Sequence, residues 1–365
     1  MLLGKDSKNS MLSVRRINWL RLIVALASAA YLLYRIVILI IRPEYDLVYW
    51  LGFLNTGLIV GGMYALIAIG YTLVYGVLLL INFAHGDVMM LGCFAGYFTF
   101  EYLSFLQVGD TSFLNRYPVI SILLAFLLGA SVSAVSGYYL EKIAYRPIRN
   151  SRIRLAPLIS AVGASIFLET AAQIMFGPNK KTYKNPALLE RGTGWNIEMG
   201  DGMIIITKTG VFSLVLAVVL MVGLYLFVQK TKLGKSIRAV SQDKHTAQLM
   251  GINLDRVTSQ TFIISGILAG AAGVMWGIHN GIFNHYVGFL PGIKAFTAAV
   301  VGGIGNIPGA MVGGMVLGIL ESVGPAFLAI DFQLKDVIAF AILILVLILK
   351  PSGLFGKSSS SVEKV

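Results

Sequence analysis

The sequence predicts an all-α polytopic membrane protein with about 8–10 transmembrane helices, two broken or re-entrant segments and a pseudo-repeat. Three observations lead there. Of 365 residues, 57% are hydrophobic and 13% charged, with mean hydropathy +0.80; a soluble domain carries about 25% charged residues. Long apolar runs recur near 20–41, 51–81, 86–106, 118–140, 156–177, 211–229, 258–279, 294–326 and 334–349, and most can cross about 30 Å of hydrocarbon. These runs are apolar on all faces, whereas the strands of a transmembrane barrel alternate.

The first element is a basic N-terminus, with Lys5, Lys8, Arg15, Arg16 and Arg21 ahead of the run Leu22–Ile41. That order is also a signal peptide's, but Arg35 interrupts the run and Arg42-Pro43-Glu44 is no small-residue cleavage site. A retained first span is therefore expected. It makes 1–46 an N-terminal extension, 47–356 the transmembrane domain and 357–365 a cytoplasmic tail.

Orientation follows from the basic loops. The loop 142–154 holds Lys142, Arg146, Arg149, Arg152 and Arg154 without an acid, and 230–256 is rich in Lys and Arg. Both are expected on the cytoplasmic side with the N-terminus, and 178–210 outside. The tail, with Lys350, Lys357 and Lys364, also belongs inside. Nine simple spans would leave it outside, so one segment, 294–326, must cross twice or re-enter. The net charge of +12 thus sets orientation; with no nucleic-acid motif, nucleic-acid binding is excluded. The single cysteine, Cys93, rules out an intrachain disulfide and reads as a packing residue.

Two runs, 51–81 and 294–326, are too long for one plain span and are expected to carry breaks. The sharpest interruption is Ile81-Asn82-Phe83-Ala84-His85-Gly86-Asp87, followed by Gly92 and Gly96. Its counterpart is Gly302-Gly303-Ile304-Gly305-Asn306-Ile307-Pro308-Gly309, followed by Gly313, Gly314 and Gly318. Polar groups at membrane depth cost several kcal/mol unless satisfied, and are tolerated where they are buried in protein or line a wet cavity. Paired interruptions in two halves point to a transport pathway at the repeat interface. Close helix packing through small residues accounts for the glycines equally well. The expected pathway residues are Asn82, His85, Gly86 and Asp87 in the first break, and Gly302, Gly303, Gly305 and Asn306 in the second.

An ion-coupled carrier would place acids in mid-membrane. Asp87 and Glu169 qualify, while Glu101 and Glu321 lie near span ends and read as interfacial. The alternative power source is ATP, but this chain cannot hold it. Gly234-Lys235-Ser236 and Gly356-Lys357-Ser358 lack the glycine five residues upstream that a phosphate loop needs; Gln229 and Pro351 stand there. ATP would then act on a partner, docked where Ile237, Val240, Ala247 and Met250 recur at helical spacing, with Gly251 as the C-terminal cap. His245, His279 and His285 are too scattered for a metal site, and no nucleophile or metal constellation supports an enzyme.

Five stretches carry a resemblance: Tyr64 to Thr72, Ile81 to Asp87, Ala144-Tyr145-Arg146-Pro147-Ile148-Arg149, Gly251 to Val257, and Lys294 to Val300 with Gly302 to Gly309. In this order, over roughly 50–356, the chain resembles the inner-membrane permeases of branched-chain amino acid ABC transporters, the LivH type. The resemblance implies a bacterial multi-pass permease working by alternating access. Its partners would be a second homologous permease, two cytoplasmic ABC ATPases carrying ATP and Mg, and a periplasmic substrate-binding protein. No cofactor is expected in this chain. The family's coupling loop falls on 234–256, which sets Gly234, Arg238, Ala239, Asp243, Ala247 and Gly251 toward the ATPase. Asp87 stands where the family often has Glu, and the extension 1–46 departs from shorter members. Related permeases carry urea and short amides, so substrates of that class remain an alternative, as does an ion-coupled amino acid carrier.

Overall fold

A computed structural model describes residues 45–149, 155–199, 202–350 and 352–356, with 23, 26–31, 33–39 and 41 ahead of them. The basic N-terminus, the candidate cleavage site at 42–44, Arg152, Arg154, Pro351 and the tail 357–365 lie outside the described residues. The chain is helical almost throughout, as its composition requires.

A short apolar helix, α1 (Leu26–Leu39), leads in. Arg35, which interrupts this run, is buried, and its Nε donates to Phe327 O at 2.7 Å. That carbonyl is at the C-terminal end of a later helix, where a cation is favoured. Next is α2 (Leu47–Leu78), 32 residues and about 48 Å long at 1.5 Å per residue. Here the expectation of a break inside 51–81 is corrected. The segment contains no proline, and Gly57, Gly61 and Gly62 pack against other helices instead of unwinding. The chain breaks just after it: Leu79 takes φ 59° and residues 79–84 leave the helix, until α3 (His85–Phe105) restarts.

A four-residue turn α4 (Phe113–Arg116) leads to α5 (Pro118–Tyr139), which ends in a π-helical turn, Leu140–Tyr145. After α6 (Ala156–Phe176), Lys181–Thr182 pairs antiparallel with Ile282–Phe283, and Gly194–Met199 forms a hairpin with Gly202–Thr207. Then follow α7 (Lys208–Lys230), α8 (Lys232–Gln242), α9 (Lys244–Leu249) and α10 (Leu254–Asn280). The chain closes with α11 (Phe289–Gly302), α12 (Ile307–Leu328) and α13 (Lys335–Leu349). Among the described residues eight helices are long and apolar enough to span a membrane. At 14 residues, about 21 Å, α11 is not one of them.

The segment 294–326 does divide, and α11 brings the chain back to the α8–α9 end before α12 leaves again. The described C-terminal residues therefore finish beside the start of α12: Phe355 N donates to Gly302 O at 3.1 Å, and Asn306 Nδ2 to Phe355 O at 2.9 Å.

The helices meet through small residues, because lipid gives no hydrophobic drive for association and close backbone approach supplies dispersion instead. On α2, Gly57 and Gly61 face Gly318 and its neighbours on antiparallel α12; a Cβ on Gly57 would sit 2.7 Å from Ile319 Cα. A second seam joins α3, α5 and α10 at Gly92, Gly129 and Gly270, where Ser133 Oγ also donates to Val88 O at 2.8 Å. Gly92, Gly96, Gly313, Gly314 and Gly318 all face neighbouring helices, so the packing explanation of the glycine runs holds alongside the broken segments.

Candidate functional site

The first break sets α3's N-terminus deep in the fold. Its level can be read from α2: Gly70, eight residues before that helix ends, lies directly against the His85 ring. A side chain at 70 would occupy the imidazole's place, which is why Gly70 is needed. His85 Nδ1 is 3.3 Å from Ser265 Oγ, and the Tyr71 ring meets the imidazole edge-on at 4.8 Å. Asn82 Oδ1 accepts from Tyr145 Oη at 2.9 Å. Asn82 and His85 are thus enclosed in protein, with His85 Nε2 buried and lacking a hydrogen-bond partner, and neither residue is on the walls of the cavities described below. The expectation that Asn82 and His85 line the pathway is corrected: they hold the break together.

Gly86 and Asp87 do reach open space. They line a cavity of about 320 Å³ with Tyr71, Phe83, Ser165 and Glu169. Asp87 Oδ2 accepts from Ser165 Oγ at 2.5 Å. Ser165 and Glu169 of α6 are part of this wall. Gly86 is pressed against the backbone of Gly288 and Gly292, so the N-termini of α3 and α11 meet at one level. Both present a positive dipole end there.

Gly302, Gly303, Gly305 and Asn306 are elsewhere. They form the turn from α11 to α12, with φ 103° at Gly303 and 89° at Gly305, and they hold residues 353–356. No described cavity wall includes them, so the second break does not join the first.

A larger cavity, about 660 Å³, was missed by sequence reasoning. It lies on the other face of α11: Leu290, Pro291 and Lys294 line it, while Phe289, Gly292, Ile293 and Phe296 line the smaller one. The spacing divides the two faces as a helical period does. Its far wall carries Phe53, Val60 and Tyr64 of α2 and Trp276 of α10. In its wall Lys294 Nζ lies 2.8 Å from Glu321 Oε1 and 2.6 Å from Asp336 Oδ1. Glu321 is 5% exposed, so its reading as interfacial is corrected; the apolar run around it hid a buried ion pair. Glu101, by contrast, sits near the surface and pairs with Lys184 at 2.9 Å.

At the opposite end, the amphipathic helix expected over the coupling loop is two helices, α8 and α9, hinged at Asp243. Asp243 Oδ1 accepts from His245 N at 2.8 Å and Thr246 N at 3.1 Å, which caps α9. The Thr246 hydroxyl, with these amides, holds the Asp243 carboxyl below the usual range. The expectation that Ile237, Val240 and Ala247 face a partner is corrected: they are buried in the chain's own core. Met250 is not: it is 78% exposed beside Leu249 at 75%, and this apolar pair projects from the end of α9. Gly251 follows with φ 83°. Gly234 is pressed on Val228, folding α8 back on α7, and Arg238 holds Gln229 Oε1 at 2.6 Å. Ala239 is half-buried on α8. Lys244 Nζ donates to Leu78 O at 3.1 Å, tying the hinge to the end of α2, and burial lowers its pKa. The Arg146 guanidinium bonds buried Glu141 at 2.8 Å and Ser259 at 2.7 Å, and Arg149 pairs with Asp255.

Spanning helices, a half-helix between two cavities and a capped hinge at one end define a multi-pass transport subunit. A family model described as branched-chain amino acid transport system / permease component matches residues 53–347. The chain belongs to that family, as the motif resemblance implied, and the family is one of transport permeases, not enzymes. It is 41% identical over 320 residues to the high-affinity branched-chain amino acid transport system permease protein BraD of Pseudomonas aeruginosa, covering 88% of this chain and 99% of that protein. It is 41% identical over 319 residues to the corresponding LivH of Escherichia coli, covering 87% and 98%. The LivH of Salmonella typhimurium is 40% identical over the same shares.

Proposed function

We propose that this chain is the membrane-spanning permease subunit of an ATP-driven importer of branched-chain and other neutral hydrophobic amino acids. It lines the translocation path and works by alternating access. The observation that carries this reading is the half-helix α11, which starts at depth beside α3 and separates two cavities in a chain of this family. Gly86, Asp87, Ser165 and Glu169 line the inner part of the path.

ATP and Mg act on two partner ATPases, which grip α8–α9 at Leu249 and Met250. A second homologous permease completes the path, and a periplasmic binding protein delivers the substrate. In this reading α8–α9 and the N-terminus are on the cytoplasmic side of a bacterial inner membrane, which the basic loops support. Support for the ATPase site comes from the exposed apolar pair and from the tie between Lys244 and α2.

Uptake of labelled leucine, alanine and urea tests this in cells lacking the chain, complemented with the wild type or with Asp243→Ala. Leucine uptake restored by the wild type but not by an inserted Asp243→Ala supports a coupled amino acid permease. Rescue of urea uptake alone moves the substrate to the amide class, and uptake untouched by deletion overturns the reading. Leucine uptake that persists without any co-purifying ATPase favours the ion-coupled carrier.

A further inference from the structure

Lys294, Glu321 and Asp336 come from three helices and converge on the wall of the larger cavity. We propose that this cluster receives the charged head of a zwitterionic α-amino acid. The substrate carboxylate would bind Lys294 Nζ, its ammonium would bind Glu321, and its side chain would lie against apolar residues such as Phe53 and Leu290. The inference rests on the amino acid import reading above and deepens it.

A purely structural role explains the cluster poorly. Taking ions out of water costs several kcal/mol each, and well-packed apolar residues often serve stability as well as a buried ion pair or better. Here three charges are retained at the edge of open space in an otherwise apolar bundle. The balance is also uneven. Among the described residues one buried ammonium serves two carboxylates, and a second lysine, Lys335, is 3.8 Å from Glu321 and half exposed. Glu321 Oε2 is buried in that cavity wall without a hydrogen-bond partner. A buried carboxylate oxygen lacking a donor is costly, and an incoming ammonium would supply one.

The surroundings suit the same head group. The Tyr64 ring lies 5.8 Å from Lys294 Nζ, and its centroid is 6.1 Å from that of Trp276. Aromatic faces at such distances attract ammonium groups. A volume of about 660 Å³ fits a small-molecule site.

Exchange needs no net change of charge. The substrate carboxylate replaces Glu321 on Lys294, and the substrate ammonium replaces Lys294 on Glu321. Freeing Lys294 releases the tie between α11 and α12, and α11 is the partition between the cavities. Binding at the outer cavity would thereby loosen the wall to the inner one. Urea, with no charge to offer, could not make the exchange.

Ser322 lines this cavity, and Cys93, the chain's one cysteine, is buried. Ser322→Cys therefore adds one reachable thiol to this chain. The experiment follows its alkylation in the full complex in proteoliposomes, with leucine, leucinamide or 4-methylpentanoate present. Leucine is expected to slow labelling, and the two analogues, each lacking one charge, are not. Lys294→Met or Glu321→Gln should abolish protection and cut leucine uptake at least about tenfold, while Lys294→Arg keeps part of both. ATP hydrolysis by each complex reports assembly. Where a charge variant fails to assemble, the comparison of analogues on Ser322→Cys alone decides. Equal protection by leucinamide, or protection surviving Lys294→Met, overturns the site. Leucine uptake without protection overturns the site and leaves the transport reading standing, whereas a wild-type complex that imports no leucine overturns both.

Discussion

Gly318→Val is expected to destabilise the chain sharply, although it replaces a poor helix former with a better one. A Cβ at 318 would fall inside contact distance of Gly61 N and Cα and of Gly57 O, all backbone atoms of α2 that cannot rotate away. Three added carbons must then force α2 and α12 apart. Overpacking costs about 1–3 kcal/mol and occasionally more, and a rigid backbone neighbour puts this site at the upper end. The propensity gain of Val over Gly is only about 0.5 kcal/mol. The net loss is therefore roughly 2–3 kcal/mol. At Gly223 on α7 nothing lies within 4 Å of the added carbon, so the same substitution there should show the small gain alone. At about 2–4 °C per kcal/mol, the two variants should differ by roughly 6 °C or more in melting temperature. The assay is heating of the detergent-solubilised chain followed by size-exclusion chromatography, with half-lives compared because unfolding is irreversible. Equal melting of Gly318→Val and Gly223→Val would refute the close crossing of α2 and α12.

Tyr145→Phe should cost about 1–3 kcal/mol by leaving Asn82 Oδ1 unsatisfied in the interior; the same thermal assay reads it, and a neutral result sinks the bracing role of Asn82. Arg146→Leu leaves the buried Glu141 carboxylate without its cation and should cost about 2–5 kcal/mol. The double variant with Glu141→Leu should recover much of that loss, and a double variant worse than the single one contradicts the pairing. Asp243 has a lowered pKa in the fold, so its cap stabilises α9 above the ordinary carboxylate range near pH 4 and fades as pH falls through the lowered value. Amide exchange in α9, corrected for intrinsic rates, should therefore accelerate between pH 5 and pH 3, both approximate bounds from that range. Asp243→Asn keeps a cap but cannot titrate, and should flatten the change; the same acceleration in that variant would assign it elsewhere.

The spans were legible in the sequence because apolar length is what a bilayer demands. The apolar period of α8–α9 was legible for a similar reason, since local spacing determines which residues share a face, although it did not show that Asp243 divides the run or that the face turns to the chain's own core. What escaped depends on partners distant in sequence. Lys294 and Glu321 stand 27 residues apart, and a hydropathy profile shows each as a charge near a span end, not as a pair. Asn82 and His85 looked exposed to a path because their partners, Tyr145 and Ser265, arrive from α5's end and α10. The Gly302–Asn306 run matched the first break in composition, yet it binds the chain's own C-terminal residues. Depth is invisible in composition, so a half-helix and a full span with a polar end read alike.

The two cavities share very few walls, and this limits what can move. Ser165 and Glu169 of α6 reach only the smaller cavity, while Trp276 of α10, Glu321 of α12 and Asp336 of α13 reach only the larger. Two helices reach both. One is α11, through its two faces. The other is α2, with Phe53, Val60 and Tyr64 at the larger cavity and Tyr71 at the smaller. The cytoplasmic hinge acts on α2: Lys244 holds its last carbonyl, and Gly76 lies beside Ser241 of α8. An unbroken helix about 48 Å long transmits displacement along its axis without a bend. A shift of α8–α9 therefore reaches both cavities through α2, and the element it must slide past is α11. The seam between α2 and α12 works against such sliding, since its glycines lock the backbones at one register. Motion that spares that seam carries α2 and α12 together and changes their contacts with α11, where the Lys294 pair with Glu321 is the tie that must open.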